Sequence, residues 1–287
     1  MHVHNPLRDV ELHPGVGEPV REMRSARMNS RRAISAVISS VILTSAVLVI
    51  TLIAQYVSLT ILAQQSQDQE FDQMKNNIML FSEVVEDVAT KPGTSGYLRF
   101  NLITAKPSFT LSKTVSISVD SLGTVLQGKT RMLEILGGSL VGVAGQQTIS
   151  GSDNYILTSL SSRLGRAYTN QSKGAWVVMD FLRMRVTYHG SFFFYDTGDG
   201  HSGYLNVVEI SFINMSFGTI RGGSGVLNMK AQNTKLSVIS YKTTANSLTI
   251  SFLIDGQTKG TYGFIGSPSA VGTIVNVVRS DVLVFTV

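Results

Sequence analysis

Ser30-Arg31-Arg32-Ala33, followed by an apolar stretch from Ile34 to Ala63 that carries no charged residue, is the part of the chain whose reading decides the fold. A hydrocarbon core about 30 Å thick needs roughly 20 apolar residues of helix. The stretch exceeds that, so it predicts a membrane-spanning helix that either tilts or continues past the bilayer among other protein helices. Its polar residues are small hydroxyls, Ser35, Ser39, Ser40, Thr44, Ser45, Thr51, Ser58 and Thr60, which can return a hydrogen bond to the preceding turn. Ala36, Ser40 and Thr44 recur at four-residue spacing and make a small face that another helix can approach closely. Arg21, Arg24, Arg27, Arg31 and Arg32 crowd the amino-terminal flank. Positive charge stays on the cytoplasmic side, so the residues after Ala63 are expected outside. A secretory signal peptide, with an apolar region of about 7 to 15 residues and an A-x-A-like cleavage site, fits this pattern poorly.

From Gln64 to Thr90 the chain contains neither proline nor glycine, and Phe71, Met74, Ile78, Phe81, Val85 and Val88 stand alternately three and four residues apart. That is a heptad seam. Asp68, Glu70, Asp72, Lys75, Glu83, Glu86 and Asp87 fill the positions between. Lys91-Pro92-Gly93 then stops the helix, since proline cannot continue it and glycine permits a reversal. The seam is expected to pack partly on the chain's own globular head and to serve as an assembly surface for neighbouring subunits.

Arg31-Arg32-Ala33 before Ile34-Ser35-Ala36-Val37-Ile38 resembles the class III signal peptide of archaeal type IV pilins and archaellins. The resemblance implies cutting by a prepilin peptidase, with Arg32 as the basic residue, Ala33 the last leader residue and Ile34 the first mature one. It covers about residues 28 to 90. Two positions depart from relatives: Ile38 stands where bacterial-type pilins have glutamate, and Ala36 where many archaeal pilins have proline. Residues 1–33 make a long leader, and Met28 offers an alternative start that would shorten it.

Beyond Pro92 the periodicity changes from 3.6 to 2. Phe109, Leu111, Val115, Ile117 and Val119 alternate with Thr110, Ser112, Ser116 and Ser118, the pattern of strands with one buried face. Arg131 to Leu136, Tyr155 to Leu160, Ala175 to Phe181, Arg183 to His189, Tyr204 to Met215, Val226 to Met229, Leu236 to Tyr241, Ser247 to Ile254 and Thr273 to Val287 also favour strands. Turn chemistry separates them at Gly137-Gly138, Gly198-Asp199-Gly200, Gly222-Gly223-Ser224-Gly225 and Asp255-Gly256. The expected fold is α+β: a long hydrophobic helix over 34–90, spanning to about residue 63 and amphipathic beyond, then an antiparallel β-sandwich head over 91–287. The run Val282 to Val287 places the last strand inside the sheet, near the end of the helix.

With 287 residues, 15% charged, 26 Gly and no Cys, the chain has no disulfide framework and no thiol metal site. Its net charge of +5 is dispersed, without the basic stripe and interleaved aromatics of a nucleic-acid surface. Beyond the leader only His189 and His201 are histidines. Asp196-Thr197-Gly198 copies an aspartic-protease tripeptide, but no second one exists to share its proton. Asp196 and Asp199, with His201, are weak candidates for a hard cation, and a hairpin turn explains them better. No catalytic role and no cofactor is expected. Asn170-Gln171-Ser172 and Asn214-Met215-Ser216 are glycosylation sequons, Asn170 reading as an exposed loop and Asn214 as lying near a strand end. Trp176, Tyr188, Phe192, Phe193, Phe194 and Tyr195 concentrate aromatic surface, as core plus one edge or as a glycan contact.

Together with the resemblance, these features lead to the expectation of a filament subunit for adhesion or motility. Its partners would be copies of itself or related pilins, the prepilin peptidase, the membrane before assembly and surface glycan, with no nucleic acid. The other reading is a monomeric anchored protein with a binding or stator-like head.

Overall fold

The computed structural model describes residues 20–110, 112–195, 202–220 and 225–287, with helix side chains from Ser35 onward. One helix, α1, spans Val20–Ala89. No glycine or proline interrupts the sequence between Pro19 and Pro92, so the helix begins well before the expected Ile34. Strands follow in chain order: β1 Ser95–Leu102, β2 Lys106–Phe109, β3 Lys113–Val119, β4 Gly123–Thr130, β5 Leu133–Leu136, β6 Gln147–Ser150, β7 Ile156–Leu157 and β8 Arg166–Gln171. The remainder are β9 Ala175–Asp180, β10 Met184–Tyr195, β11 Ser202–Phe217, β12 Gly225–Thr243, β13 Ser247–Ile254, β14 Gln257–Ile265 and β15 Thr273–Thr286. Leu111, Gly198 to Gly200 and Gly222 to Ser224 lie outside the described residues.

The chain divides into two compact units, Met1–Ile61 and Leu62–Val287. The head therefore starts within α1 rather than at residue 91, because the second part of the helix is built into its core. Phe71, Met74, Ile78, Phe81, Val85 and Val88 are all at most 3% exposed, in one cluster with Phe100, Ile135, Val177, Met215, Met229 and Val282. The heptad seam is thus consumed by the chain's own strands. As an assembly surface it is a misreading: apolar side chains at heptad spacing bury equally well against a sheet, and here the sheet supplies the partner.

Among the described residues of the head there are three sheets: β1-β12-β15-β11-β10-β7, β14-β13-β3-β4 and β2-β5-β9-β8-β6. The six-stranded sheet is mixed, which departs from the expected all-antiparallel arrangement: β11 runs parallel to β15 and β7 parallel to β10. One core cluster joins its Met215, Met229 and Val284 to the helix seam and to Leu133, Ile135 and Val177 of the β5–β9 sheet. A second cluster joins Val208, Ile210, Phe212, Val275 and Val277 to Val115, Ile117, Ile250 and Phe252 of the β13–β3 sheet. The layers are sandwich-like, with the six-stranded sheet contributing to both cores. Close approach to the helix explains two glycines: a Cβ at Gly96 would stand 2.6 Å from Val84 Cγ1, and one at Gly137 2.7 Å from Phe71 Cδ2.

Polar contacts hold the helix in this seat. The Glu70 carboxylate, 6% exposed, accepts from the Ile103, Thr104 and Ala105 N–H groups and from Thr104 Oγ1 at 2.6 Å. At the carboxyl-terminal end, Asn233 Nδ2 donates to the Val88 and Ala89 carbonyls at 3.1 and 3.0 Å, and Ser280 Oγ donates to Ala89 at 2.8 Å. These side chains satisfy carbonyls that the last helical turn leaves open.

Burial alone would raise the Glu70 pKa, but the Thr104 hydroxyl and the backbone N–H groups of Thr104, Ile103 and Ala105 outweigh it and hold it below the ordinary 4.5. A depressed carboxyl contributes stability that is present above its unfolded value and is lost as pH falls through the folded one. Glu86 moves oppositely, burial raising its pKa despite N–H donors from Gly165 and Leu164 and the nearby Arg185 and Arg163. Its contribution therefore opposes folding at higher pH and partly masks Glu70 in the intact protein. Comparison with Glu70→Gln isolates the effect: the variant should lose about 3 kcal/mol at neutral pH, and its melting temperature should fall less steeply below pH about 4.5. Thermal unfolding of the detergent-solubilised chain measures both, and parallel pH profiles would contradict the assignment.

Candidate functional site

The first unit carries the apolar helix. Across the most apolar window of the Ser35–Ala89 span the mean hydropathy is 2.6 and none of that window is buried. Val37, Leu43, Ile50, Tyr56 and Leu62 are each more than half exposed. Six hydroxyls inside it turn back on the helix, Ser40 to Val37 O, Thr44 to Ser40 O, Ser45 to Val41 O, Thr51 to Val47 O, Ser58 to Ala54 O and Thr60 to Tyr56 O. Their polarity is thereby absorbed, and the face left outward is hydrocarbon. The segment is long and apolar enough to cross a membrane, a property that a signal sequence near an amino terminus shares. Arg31, Arg32, Ala33 and Ile34 lie within the helical backbone, and their side chains fall outside the described residues.

The aromatic concentration does not form one site. Trp176 is on β9, in a different sheet from Tyr188, Phe192, Phe193, Phe194 and Tyr195 on β10. Tyr188 packs its ring on Phe264 at 5.1 Å and donates from its hydroxyl to Asn206 Oδ1 at 3.0 Å. Further along the β10–β11 hairpin, Phe193 meets Tyr204 edge-on at 5.6 Å and Lys242 Nζ stands 5.0 Å from the Phe194 ring. Phe192, Phe193 and Tyr204 are 54%, 61% and 49% exposed. They form an exposed aromatic edge rather than core. Asp196 and Asp199, the weak cation candidates, lie outside the described residues together with His201. Among the described residues no group of three His, Asp or Glu side chains is placed to hold a metal ion.

The two sequons are placed in opposite environments. Asn214 is 8% exposed inside β11, and its Nδ2 donates to Asp281 Oδ1 at 2.6 Å. It stands three residues before the end of β11, near a strand end as expected, but enclosed. The alternation of β11 turns it inward, toward Arg279 and Asp281. Asn170 is not in a loop: it is the penultimate residue of β8, half-buried and paired with Trp176.

Two features had no sequence signal. β1 is an edge strand, and beside it the helix opens a groove of about 710 Å³ lined by Leu80, Val84, Tyr97 and Leu98. Arg183 and Asp180 form an ion pair at 2.5 Å with side chains only 1% and 4% exposed. A charged residue beside a strand reads as surface, and only the convergence of sheets buries it.

The fold defines a class in coarse terms: a long apolar amino-terminal helix whose second part is the core helix of a β-rich head. No protein-family model, no curated protein and no solved structure matches the chain.

Proposed function

We propose that this chain is a structural subunit of a type IV pilus-like surface filament, held in the membrane by its apolar helix before assembly. The observation that carries the reading is the contrast along α1. Its residues from Ser35 to Leu62 bury nothing within the chain, whereas Phe71, Met74, Ile78, Phe81, Val85 and Val88 are spent in the core of the head. An exposed apolar surface of that extent requires lipid or other helices around it. Lipid and a bundle of identical helices are both apolar, so transfer from one to the other is driven by packing rather than by dehydration. The Arg31-Arg32-Ala33-Ile34 junction and its resemblance to class III leaders supply the processing step that would release the helix for assembly. Head contacts between subunits would use surfaces other than the seam, and adhesion or motility would follow from the filament.

A second reading keeps the anchor without the filament. The seam buried in its own head favours it, because the head completes its core without neighbours, and the exposed Phe192, Phe193 and Tyr204 suit a binding role. Shearing intact cells decides between them. The filament reading expects the protein in high-molecular-weight sheared material, with a mature amino terminus at Ile34. Exclusive recovery as a membrane-bound monomer would sink it.

A further inference from the structure

We propose that Asn170 is the acceptor of an N-linked glycan and that Trp176, its cross-strand neighbour, is the surface on which the first sugar lies. The proposal rests on the outward orientation of the head contained in the filament reading, but not on filament formation itself.

The three residues of the sequon occupy the end of β8 and the start of its turn into β9. Lys173 (φ 53°) and Gly174 (φ 135°) make that turn, closed by the Ser172 N–H donating to the Gly174 carbonyl at 3.1 Å. Ser172 is exposed, and among the described residues neither its hydroxyl nor the Asn170 carboxamide has a hydrogen-bond partner. A transferase that must hold both groups meets them free, on a hairpin end where local opening costs little. Asn214 offers the reverse, with its amide committed to Asp281 and its side chain enclosed. A glycan there would have to be accommodated inside the head. The choice between two sequons that are alike in sequence is thus made by register.

Register also supplies the platform. Ala167, Thr169, Ala175 and Val177 face the core, so Asn170 and Trp176 share the other face of the sheet. They are directly paired, and Trp176 is in turn paired with Leu136 of β5. Directly opposite residues have Cβ atoms about 4.5–5.5 Å apart, close enough for a sugar on Asn170 to reach the indole. The ring is held in place, because Trp176 Nε1 donates to the carbonyl of the sequon's own Ser172 at 2.7 Å. With its one polar atom occupied, the half-buried indole offers the part of its ring left open, an apolar surface, to the C–H face of a pyranose.

The covalent step requires a co-substrate of stated class, a polyprenyl phosphate- or pyrophosphate-linked oligosaccharide. The Asn170 amide nitrogen bonds to C1 of the reducing-end sugar as the C1–O bond to phosphate breaks. The lipid phosphate leaves with the electron pair, the amide gives up one proton to the transferase, and no redox change occurs.

The test uses the full chain produced in the organism it comes from. Protease treatment of intact cells establishes whether the head is outside, and mass spectrometry of the tryptic peptide 167–173 reads the modification. Expected are a glycan mass on that peptide, its loss in Ser172→Ala, its retention in Ser172→Thr, and an unmodified Asn214. The chain has 1 Trp, so its fluorescence reports this site alone. Iodide quenching should be about two-fold weaker in the glycosylated protein than in Ser172→Ala, as expected for a covered aromatic face, while Trp176→Ala should keep the glycan. A protease-sensitive head with peptide 167–173 unmodified, or a glycan on Asn214 instead, would overturn the acceptor assignment while leaving the outward topology intact. Equal quenching with and without the glycan would overturn the platform. A head protected from protease would defeat the outward orientation, and the proposal with it.

Discussion

Deleting Val282–Val287 is expected to abolish cooperative folding of the head. β15 lies between β12 and β11 and has ladder partners on both sides from Thr273 to Val284. The deleted residues pair with Met229 to Asn233 of β12 and with Met215 to Phe217 of β11. They also carry Val282 and Val284, both 0% exposed, into the cluster that seats the helix. Burying a valine contributes about 1.5–3 kcal/mol, so the two side chains account for roughly 3–6 kcal/mol. The unpaired groups left on two neighbouring strands add about 1–3 kcal/mol each where they stay buried. Against a total domain stability of about 5–15 kcal/mol, the loss leaves little or no folded population. The damage also spreads, since β1 joins the sheet through β12. Thermal unfolding of the truncated chain in detergent should show no cooperative transition, or one shifted down by tens of degrees. A transition at the full-length temperature would contradict the central placement of β15.

That placement is legible in the sequence, because the continuous apolar run Val282-Leu283-Val284-Phe285 reads as interior strand. Other parts are legible too: Ser247 to Ile254 coincides with β13, and the heptad positions from Phe71 to Val88 are the buried side of the helix. What the seam packs against is not, since heptad spacing specifies an apolar stripe and is silent about the partner. The 19-residue β12 reads as two strands because Gln232-Asn233-Thr234-Lys235 has turn composition. In the fold this segment is a bulge, the register shifting between Asn233 and Lys235 so that Asn233 reaches the end of the helix. β1 and β8 are hidden because Gly96 and the polar Thr169-Asn170-Gln171 break the apolar alternation. Parallel pairing of β11 with β15 has no local signature, as alternation records which face is buried and not the direction of the neighbour. The candidate sites depend on register even more. It separates Trp176 from the β10 aromatics and gives Asn170 and Asn214 opposite environments.

Replacing Asp180 with alanine should destabilise the head by about 3–5 kcal/mol, the cost of breaking a buried ion pair from one side. The pair occupies the joint between β9 and β10, where the chain passes from the β5–β9 sheet to the six-stranded sheet. Asp180 Oδ1 accepts from Arg183 Nη1 at 2.5 Å and from the Leu182 N–H at 3.1 Å, while Arg183 Nε donates to the Ser152 carbonyl at 2.7 Å. One carboxylate oxygen therefore fixes the turn backbone and neutralises a guanidinium that is 1% exposed. Without it the cation keeps the Ser152 carbonyl and is left with the field of Asp153, an exposed carboxylate already paired with Arg166. The double change Asp180→Leu with Arg183→Met removes both charges at similar volume, and substitutions of this kind range from neutral to stabilising by about 1–4 kcal/mol. Denaturant unfolding of the three proteins separates charge burial from packing. The single variant should fall far below the parent, and the double variant should recover most of that loss. A single variant within about 1 kcal/mol of the parent, inside the range of an ordinary surface pair, would mean that Arg183 finds water or another acceptor and that the joint does not depend on this pair.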